Sequence, residues 1–448
     1  MLKEGQTIEL TLESLAYEGD AVGHHQGQAV FMPFGVPGDA VRVKVTDARK
    51  TYCRADIVEI VKPSEQRVTP ACPHFGVCGG CQWQMLEYSA QLEQKKKILH
   101  DSLTRIGGIA FPEIQILPDR SGWQYRNKAQ FPVSGPAGKL AAGYYRRGTH
   151  DIAPVEQCPI VDERINRAWP RLVSLLLQSG LSGYDETSHQ GVLRHVILRS
   201  LRKSGTLSLS LVTNGEYNLA GLTTAILAEL PEIESIWNNV NARQGNAILG
   251  GQWRHLAGNG FVSETVGGFE FRLSPGSFLQ VNLPQAEVAY RAMSEFLNLS
   301  SEETALDLYC GAGTIAFHLA AGAKRVIGIE SGREAVDDAV ASAAQNGISN
   351  CEFRAGQVEQ EIAKVGKADV ITLDPPRKGA DAALWPEVGR LAPRAVAYLS
   401  CNPATFARDA KALAKTGYRL AALRMTDLFP QTYHVESLGI FERVRRIV

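Results

Sequence analysis

Three closely spaced cysteines are the first residues in this sequence whose types and spacing could do chemistry. Cys72, Cys78 and Cys81 lie in a glycine-containing segment, and glycines let a loop fold tightly so that several thiolates converge on one metal centre. Cys158, which precedes a proline, is the best candidate for a fourth ligand. Four thiolates suit tetrahedral zinc or an iron–sulfur cluster, and a close triplet with one remote ligand favours a 4Fe-4S cluster. A radical centre that leaves one iron open is a less favoured alternative.

A glycine pair later in the chain indicates a site for a nucleoside cofactor. A predicted strand ends in Asp307, and Gly311 and Gly313 follow, where missing side chains let a ligand approach the backbone before a helix begins. The next strand ends about 20 residues on in Glu330, whose carboxylate can accept the two hydroxyls of a ribose. With Ala316 the pattern also satisfies the looser dinucleotide fingerprint, so these residues alone leave a dehydrogenase open.

Asp374 and Cys401 separate these alternatives. Asp374 ends an apolar strand and precedes two prolines, which make the strand end rigid and hold the carboxylate over the cofactor crevice. This carboxylate has no role in a dehydrogenase, whereas an acid before two prolines commonly positions the ring that a methyltransferase modifies. Cys401 ends the next strand between Ser400 and Asn402, where a partly exposed thiolate can act as a nucleophile. The alternative for Cys401 is a buried, inert cysteine.

The elements that must position these residues fall into three regions, which we expect to be residues 1–64, 65–261 and 262–448. Short alternating runs separated by turn residues predict a five-stranded β-barrel of the oligonucleotide-binding type in the first region. The second region mixes a polar helix with paired strands near 195–200 and 207–212, and is therefore α+β. Strands alternate with helices in the third region, which predicts a Rossmann-like, doubly wound parallel sheet. The predicted fold class is multidomain α/β.

Composition places the chain among ordinary folded proteins. Of its 448 residues 44% are hydrophobic, and 47 basic residues balance 47 acidic ones, so bulk charge does not argue for nucleic acid. Between Arg120 and Lys203, however, 13 basic residues face 6 acidic ones, and this local excess is a candidate RNA-binding face. A solvated surface with a chance cluster is the alternative. The basic residues of interest are Arg126, Lys128, Arg146, Arg147, Arg194, Arg199, Arg202 and Lys203.

The lack of long apolar runs in the sequence indicates where in the cell we expect the protein. No run approaches the ~18 apolar residues of a membrane helix, and the first residues lack the apolar stretch of a signal peptide. We therefore expect a soluble, cytoplasmic monomer without a membrane partner, in which the eight cysteines are reduced.

Several longer motifs give the sequence a resemblance to a known family over its whole length. Besides the cysteine set, these motifs are SPGSFLQVN at 274–282, DLYCGAG at 307–313, DPPRKG at 374–379, SCNP at 400–403 and FPQTYHVES at 429–437. Together they resemble the RNA uracil-5-methyltransferases of the RumA type. The resemblance implies an N-terminal TRAM barrel that contacts RNA, a 4Fe-4S cluster and a C-terminal class I methyltransferase domain that uses S-adenosylmethionine.

The same resemblance implies roles for individual residues. Cys401 and Glu436 match the nucleophile and the general base of the family. The positions that contact S-adenosylmethionine in the family are occupied here by Gln280, Tyr309, Thr314, Glu330, Gln357 and Asp374. Tyr309, Thr314 and Gln357 replace residues that are often Phe, Asn and Asn in the family, and each keeps stacking or hydrogen-bonding ability.

Residues and resemblance together predict methylation of uracil carbon 5 in RNA, with 23S ribosomal RNA as the expected substrate. Carbon 5 is a poor nucleophile, and addition of the Cys401 thiolate to carbon 6 activates it. Glu436 then removes the carbon 5 proton, with His434 as the nearby rival base. Alternatives are the same reaction on a T-loop uridine of tRNA, methylation of an exocyclic amine, and a non-catalytic iron–sulfur protein that binds RNA.

The target uridine must leave the RNA stack to reach Cys401. Phe278 and Phe75 are aromatic candidates for stacking on this base. We nevertheless expect both to be core residues.

Overall fold

A computed structural model of the protein, which describes residues 2–111 and 113–444, shows a closed five-stranded barrel at the start of the chain. Its strands are β1 Thr7–Leu15, β2 Ala21–His25, β3 Gln28–Met32, β4 Ala40–Ala48 and β5 Tyr52–Lys62. Val41, Val43 and Val45 of β4 are buried, because alternate side chains of a strand face the barrel interior. The prediction of a five-stranded barrel is confirmed.

A helix and a short strand follow the barrel. The helix α1 spans Tyr88–Ser102, and a π-helical turn at Leu103–Gly107 continues it. The strand β6 covers Gln115–Leu117.

The central part of the chain forms a seven-stranded sheet covered by two helices. Its elements are β7 Lys128–Ser134, β8 Ala141–Tyr145, β9 Ile152–Pro154, α2 Glu163–Gln178, β10 Leu193–Ser200, β11 Leu207–Thr213, α3 Ala220–Glu229, β12 Ile233–Val240 and β13 Gln252–Gly258. The order across the sheet is β13-β12-β11-β10-β7-β8-β9. β10 and β11 form the antiparallel pair that the sequence predicts. Phe131 of β7 stacks on Trp169 of α2, with 3.7 Å between ring centroids, and so joins the sheet to its helical layer.

The C-terminal part begins with a hairpin and continues as an eight-stranded sheet. Its elements are β14 Val262–Val266, β15 Phe269–Leu273, α4 Leu283–Leu297, β16 Thr304–Leu308, α5 Thr314–Ala320, β17 Arg325–Glu330, α6 Arg333–Gln345, β18 Cys351–Ala355, α7 Val358–Glu361, β19 Val370–Leu373, α8 Leu384–Leu391, β20 Ala395–Ser400, α9 Pro403–Lys415, β21 Tyr418–Thr426 and β22 Glu436–Arg443. The order is β18-β17-β16-β19-β20-β22-β21-β6. Five neighbouring strands of this sheet are parallel, namely β18, β17, β16, β19 and β20. β22 is antiparallel to both of its neighbours. The predicted Rossmann-like sheet is confirmed.

The strand order of this sheet reverses between β16 and β19. In open α/β sheets, ligands bind at the carboxyl ends of the strands at such a point. The neighbouring strands β16, β17, β19 and β20 lead into Tyr309, Ser331, Asp374 and Cys401 at this edge. Residues far apart in sequence are therefore brought to one crevice.

The segment that carries α1 and β6 packs against the C-terminal sheet. β6 pairs in parallel with β21, and α1 lies against α9. Lys95 of α1 donates to Asp427 Oδ1 at 2.7 Å, and both side chains are buried. Gln91 donates to Gln431 Oε1 at 2.9 Å and accepts from Gln431 N at 3.0 Å. Residues 65–261, which we expected to form one region, therefore contribute to two sheets.

The helices are short. The longest helix within residues 2–111 and 113–444 is α2, with 16 residues. In these ranges no helix has both the length and the hydrophobicity needed to cross a membrane.

Candidate active site and cysteine cavity

The loop after β16 turns sharply through three residues with positive φ. Tyr309, Gly311 and Gly313 have φ angles of +61°, +54° and +87°. Glycine adopts such angles without strain, and a Cβ on Gly313 would lie 3.1 Å from an aromatic ring of β18. The phenol of Tyr309 donates to Glu359 Oε1 at 2.9 Å. Thr314 begins α5 directly after the loop, so the glycine motif lies at the carboxyl end of β16.

Glu330 ends β17 beside this loop. Its Oε2 accepts from Gly311 N at 3.2 Å, and its Oε1 accepts from Gly332 N at 2.8 Å. These bonds hold the carboxylate at the place where a ribose is expected. Gln357 is exposed after the next strand, β18, at the same edge of the sheet.

Two carboxyl groups, one fully buried and one half-buried, lie at the carboxyl ends of β16 and β19. Burial raises the pKa of both Asp307 and Asp374 to about 7. Thr372 donates to Asp307 Oδ1 at 2.6 Å, but Asp307 Oδ2 has no hydrogen-bond partner within the described part of the chain. A buried carboxylate oxygen without a partner is costly, so this part of the crevice fits a ligand that donates hydrogen bonds.

Cys401 and Glu436 lie across from each other at the end of the antiparallel pair β20 and β22. Ser400 of β20 pairs with Ser437 of β22. In this antiparallel register the next residues to face each other are Cys401 and Glu436. Glu436 is 2% exposed, and its Oε1 has no hydrogen-bond partner among residues 2–111 and 113–444. Burial and the nearby Asp374 carboxylate raise the pKa of Glu436 well above its usual range.

The Cys401 thiol is half-buried between β20 and α9. Asn402 caps this helix by accepting from Ala404 N at 3.0 Å. Burial, followed by the charges of Glu436 and Asp374, raises the pKa of the thiol to about 12. The neutral thiol therefore predominates near pH 7, and nucleophilic attack requires that a proton be removed during the reaction.

Arg377 is a site residue that the motifs did not single out, although it lies inside DPPRKG. Its Nη2 is 3.3 Å from His434 Nε2, and its carbonyl oxygen accepts from Asn402 Nδ2 at 3.3 Å. Its charge lowers the pKa of Cys401 and Glu436, but burial has the larger, opposite effect on both. The electrostatic effect of Arg377 on the site is visible only from its neighbours in the structure, since an arginine after two prolines carries no chemical signature of its own.

His434, the rival base, is a poor proton acceptor. Burial, followed by the charge of Arg377, lowers its pKa to about 3. The imidazole is therefore neutral near pH 7 and holds a proton weakly. Glu436, with its raised pKa, is better matched to the removal of a carbon-bound proton.

The loop before α4 carries Gln280 and Phe278. Gln280 is 7% exposed, and its carbonyl oxygen accepts from Asn127 Nδ2 at 3.3 Å. Phe278 is 70% exposed, so the expectation that it is a core residue is wrong. The hydrogen bond to the Gln280 carbonyl oxygen holds the loop in place, while the Phe278 ring lies in solvent. Phe75 is half-buried against Phe34, with 5.3 Å between ring centroids.

Many of the basic residues between 120 and 203 stabilise the fold instead of forming an RNA-facing surface. Arg194 and Arg199 are 2% and 5% exposed and donate to backbone carbonyl groups. Five others form ion pairs with acidic side chains, namely Arg147, Arg164, Arg171, Arg202 and Lys203. Arg146 is exposed, and Arg126 and Lys128 are half-buried. Burial and the charges of Arg199 and Arg126 lower the pKa of Lys128 to about 7, so this group of cations favours an anionic ligand.

The four cysteines singled out in the sequence lie around one cavity. Cys72, Cys78, Cys81 and Cys158 line a space of about 270 Å³, and all four are free thiols. Burial raises the pKa of Cys81 to about 12 and that of Cys158 to about 11, and charge on neighbouring thiolates adds to both shifts. The fold therefore brings the remote cysteine to the triplet.

The spacing of these thiols bears on which metal centre they fit. Within residues 2–111 and 113–444, no group of three or more Cys, His, Asp or Glu side chains is arranged to hold a metal ion. Four free thiols around one cavity suit either zinc or an iron–sulfur cluster. The preference for a 4Fe-4S cluster comes from the spacing of the cysteines in the sequence.

The loop that leads to Glu436 is anchored by the chain that follows Cys81. Trp83 N donates to Gln431 O at 3.1 Å. The phenol of Tyr125 donates to the carbonyl oxygen of Pro430, the residue before Gln431, at 3.1 Å. Gln431 has a φ of +68°, a conformation that a non-glycine residue keeps only when its surroundings hold it.

Comparisons with known proteins agree with this geometry. Residues 262–444 match the tRNA (uracil-5-)-methyltransferase family, and residues 2–58 match the TRAM domain. An uncharacterized RNA methyltransferase of Halalkalibacterium halodurans is 38% identical to this chain, over 98% of each protein. The chain belongs to the RNA (uracil-5-)-methyltransferase family.

Other family members match over similar lengths. An uncharacterized RNA methyltransferase of Gloeobacter violaceus is 37% identical over 99% of this chain and 98% of that protein. The crystal structure of Pyrococcus abyssi tRNA (uracil-54, C5)-methyltransferase in complex with S-adenosyl-L-homocysteine has a TM-score of 0.78 and 27% identity, and covers 97% of this chain and 100% of that chain. The protein is therefore an RNA (uracil-5-)-methyltransferase that uses S-adenosylmethionine, with an N-terminal TRAM barrel and a class I methyltransferase fold.

Proposed function

We propose that this enzyme methylates uracil carbon 5 through a covalent intermediate, with Cys401 as nucleophile and Glu436 as general base. The observation that carries the proposal is the half-buried thiol placed across a strand pair from a buried carboxyl group with a free Oε1. Thiol addition at carbon 6 and proton removal at carbon 5 take place on adjacent ring atoms. Two neighbouring side chains at one strand end can therefore serve both steps.

The chemical steps follow from the electron demand of the uracil ring. The Cys401 thiol gives up its proton to solvent, and the thiolate adds to carbon 6, which turns the ring into an enolate with a nucleophilic carbon 5. S-adenosylmethionine would supply the methyl group from its sulfonium to carbon 5, and the electrons of the broken methyl–sulfur bond would stay on S-adenosylhomocysteine. Glu436 then accepts the carbon 5 proton, and the electrons of that bond restore the ring double bond as the carbon 6–sulfur bond breaks.

We propose that S-adenosylmethionine binds in the crevice between β16 and β19. Glu330 would accept the ribose hydroxyls, and Gly311 and Gly313 leave room for the ligand beside the backbone. The unpartnered Asp307 oxygen supports a ligand with hydrogen-bond donors at this place. The other proposed contacts are Gln280, Tyr309, Thr314, Gln357 and Asp374.

We propose 23S ribosomal RNA as the substrate, as the RumA-type motifs imply. The exposed Arg146 supports contact with an RNA phosphate. The tRNA (uracil-54, C5)-methyltransferase of Pyrococcus abyssi resembles this chain across its length, and makes a T-loop uridine of tRNA the second candidate.

Methyl transfer to isolated RNA separates these candidates. We expect labelled methyl groups from S-adenosylmethionine to enter 23S ribosomal RNA, but not tRNA, when both come from cells that lack this enzyme. Cys401→Ala serves as the inactive control. Transfer to tRNA alone would support the second candidate, and transfer to neither by folded, cofactor-binding protein would contradict both.

We further propose that Cys72, Cys78, Cys81 and Cys158 hold a 4Fe-4S cluster that braces the active site. The chain after Cys81 anchors the loop that leads to Glu436, which supports a structural role. A redox sensor is the alternative, in which activity changes with the oxidation state of the cluster.

Metal analysis tests the cluster. Protein purified without oxygen should contain about four iron and four sulfide per chain, and Cys81→Ser should lose them. Cys351→Ser is the matched control, because Cys351 is half-buried in β18 and outside the cavity. Zinc without iron would contradict the cluster. Full activity and unchanged thermal stability of cluster-free, folded protein would contradict the brace.

A further inference from the structure

The turn between β1 and β2 carries a barrel residue into the active site. Tyr17 lies edge-on to Tyr433, with 5.3 Å between ring centroids and an angle of 83° between ring planes. Both rings are half-buried. Burial, followed by the neighbouring Tyr433 and the charge of a Cys401 thiolate, raises the pKa of Tyr17 to about 12. Tyr433 in turn packs against His434, with 4.4 Å between ring centroids. The barrel therefore extends to the place where the chemistry occurs.

This turn is held by contacts to the central part of the chain. The carbonyl oxygen of Gly19 accepts from Trp83 Nε1 at 3.2 Å. Asp20 forms ion pairs with Arg54 of the barrel and Arg147 of the loop between β8 and β9. Gly19 has a φ of +98°, and a Cβ there would lie 2.8 Å from a side-chain carbon of the segment after Cys81. The position of the turn is thus fixed from several sides.

We propose that Tyr17 and Tyr433 form an aromatic wall of the pocket that receives the target uracil, so that the TRAM barrel completes the active site. The inference rests on the proposed function, because a base turned out of the RNA stack is what requires such a wall. Enzymes that act on flipped bases hold them by stacking against aromatic side chains. Tyr17 is a positioning residue that orients the ring so that carbon 6 faces the Cys401 sulfur.

Tyr52 provides a matched control within the same barrel. It begins β5 and pairs with Ala29, near the turn between β2 and β3 and at the opposite end of β2 from Tyr17. Tyr52 is 37% exposed, and its ring packs edge-on against Phe31 at 5.9 Å. Tyr52→Ala therefore tests how much the barrel surface away from the pocket contributes to RNA binding and to formation of the covalent complex.

The test measures how fast each variant forms the covalent complex with RNA that contains 5-fluorouridine, at saturating RNA and S-adenosylmethionine. We expect Tyr17→Ala to slow this step about 5- to 150-fold, the scale of one lost base–aromatic stacking contact. RNA and cofactor affinities should stay close to those of the unaltered protein, because contacts to the RNA backbone dominate binding. Tyr17→Phe should keep most of the rate, and Tyr52→Ala should keep all of it.

Tyr17→Leu guards against a folding defect, since it keeps apolar volume without an aromatic face. A folded Tyr17→Leu that is as slow as Tyr17→Ala supports the inference. An unaltered rate in folded Tyr17→Leu would overturn it while leaving the covalent mechanism intact. Equal losses of RNA affinity in Tyr17→Ala and Tyr52→Ala, without a slower covalent step, would also overturn it, because the barrel would then act as an RNA anchor alone. Failure of the unaltered protein to form any complex would instead contradict the proposed function.

Discussion

Cys401→Ala should abolish the covalent complex between this enzyme and RNA that contains 5-fluorouridine, and lower methyl transfer by more than about 10³-fold. Fluorine at carbon 5 leaves no removable proton, so the complex formed by the unaltered protein cannot break down and survives a denaturing gel. Without the sulfur, no bond to carbon 6 forms and carbon 5 stays unreactive. Cys351→Ala, in the same sheet, should retain the complex.

The same gel gives the pH dependence of complex formation. The pKa of the Cys401 thiol is raised to about 12, so the thiolate fraction grows about tenfold per pH unit below that value. The rate of complex formation should therefore rise from pH 6 to pH 8.

Retained methyl transfer in Cys401→Ala would contradict the covalent mechanism and favour methylation of an exocyclic amine.

Glu436→Gln should trap the covalent complex on natural RNA. The amide cannot accept the carbon 5 proton, so the methylated adduct should break down about 10²- to 10⁴-fold more slowly and accumulate. The substitution suits the site, because glutamine keeps the shape of glutamate and adds no charge at this buried position. A labelled methyl group on a protein–RNA band in a denaturing gel is the readout.

Glu442→Gln is the control on the same strand. Glu442 lies in β22 but is exposed and pairs with Arg419 at 2.7 Å, so its loss should leave turnover unchanged. If Glu436→Gln turns over normally while His434→Asn accumulates the complex, the base is His434 instead. The low pKa of His434 argues that Glu436→Gln, and not His434→Asn, accumulates the complex.

Local patterns in the sequence carried much of the fold and of the site. Alternating apolar residues predict the barrel strands, because one face of each strand must be buried. The glycine motif, Asp374 before two prolines and Cys401 after a strand all lie at the carboxyl edge of the C-terminal sheet, since parallel strands bring their ends together. The roles given to Glu436, Gln280, Tyr309, Thr314 and Gln357 came from family resemblance, because single residues outside a local motif carry no signature of their function.

Tertiary structure decided the features that depend on contacts between distant parts of the chain. The burial of Arg194 and Arg199, the exposure of Phe278 and the ion pair between Lys95 and Asp427 have no counterpart in local periodicity. The contact of Tyr17 with Tyr433 belongs to the same class. The sequence by itself determined which residue types end each strand and which loops contain glycine, because these follow from backbone geometry and burial over a few residues. Which strand ends, turns and charges meet depends on the packing of whole sheets, and no short stretch of sequence encodes that.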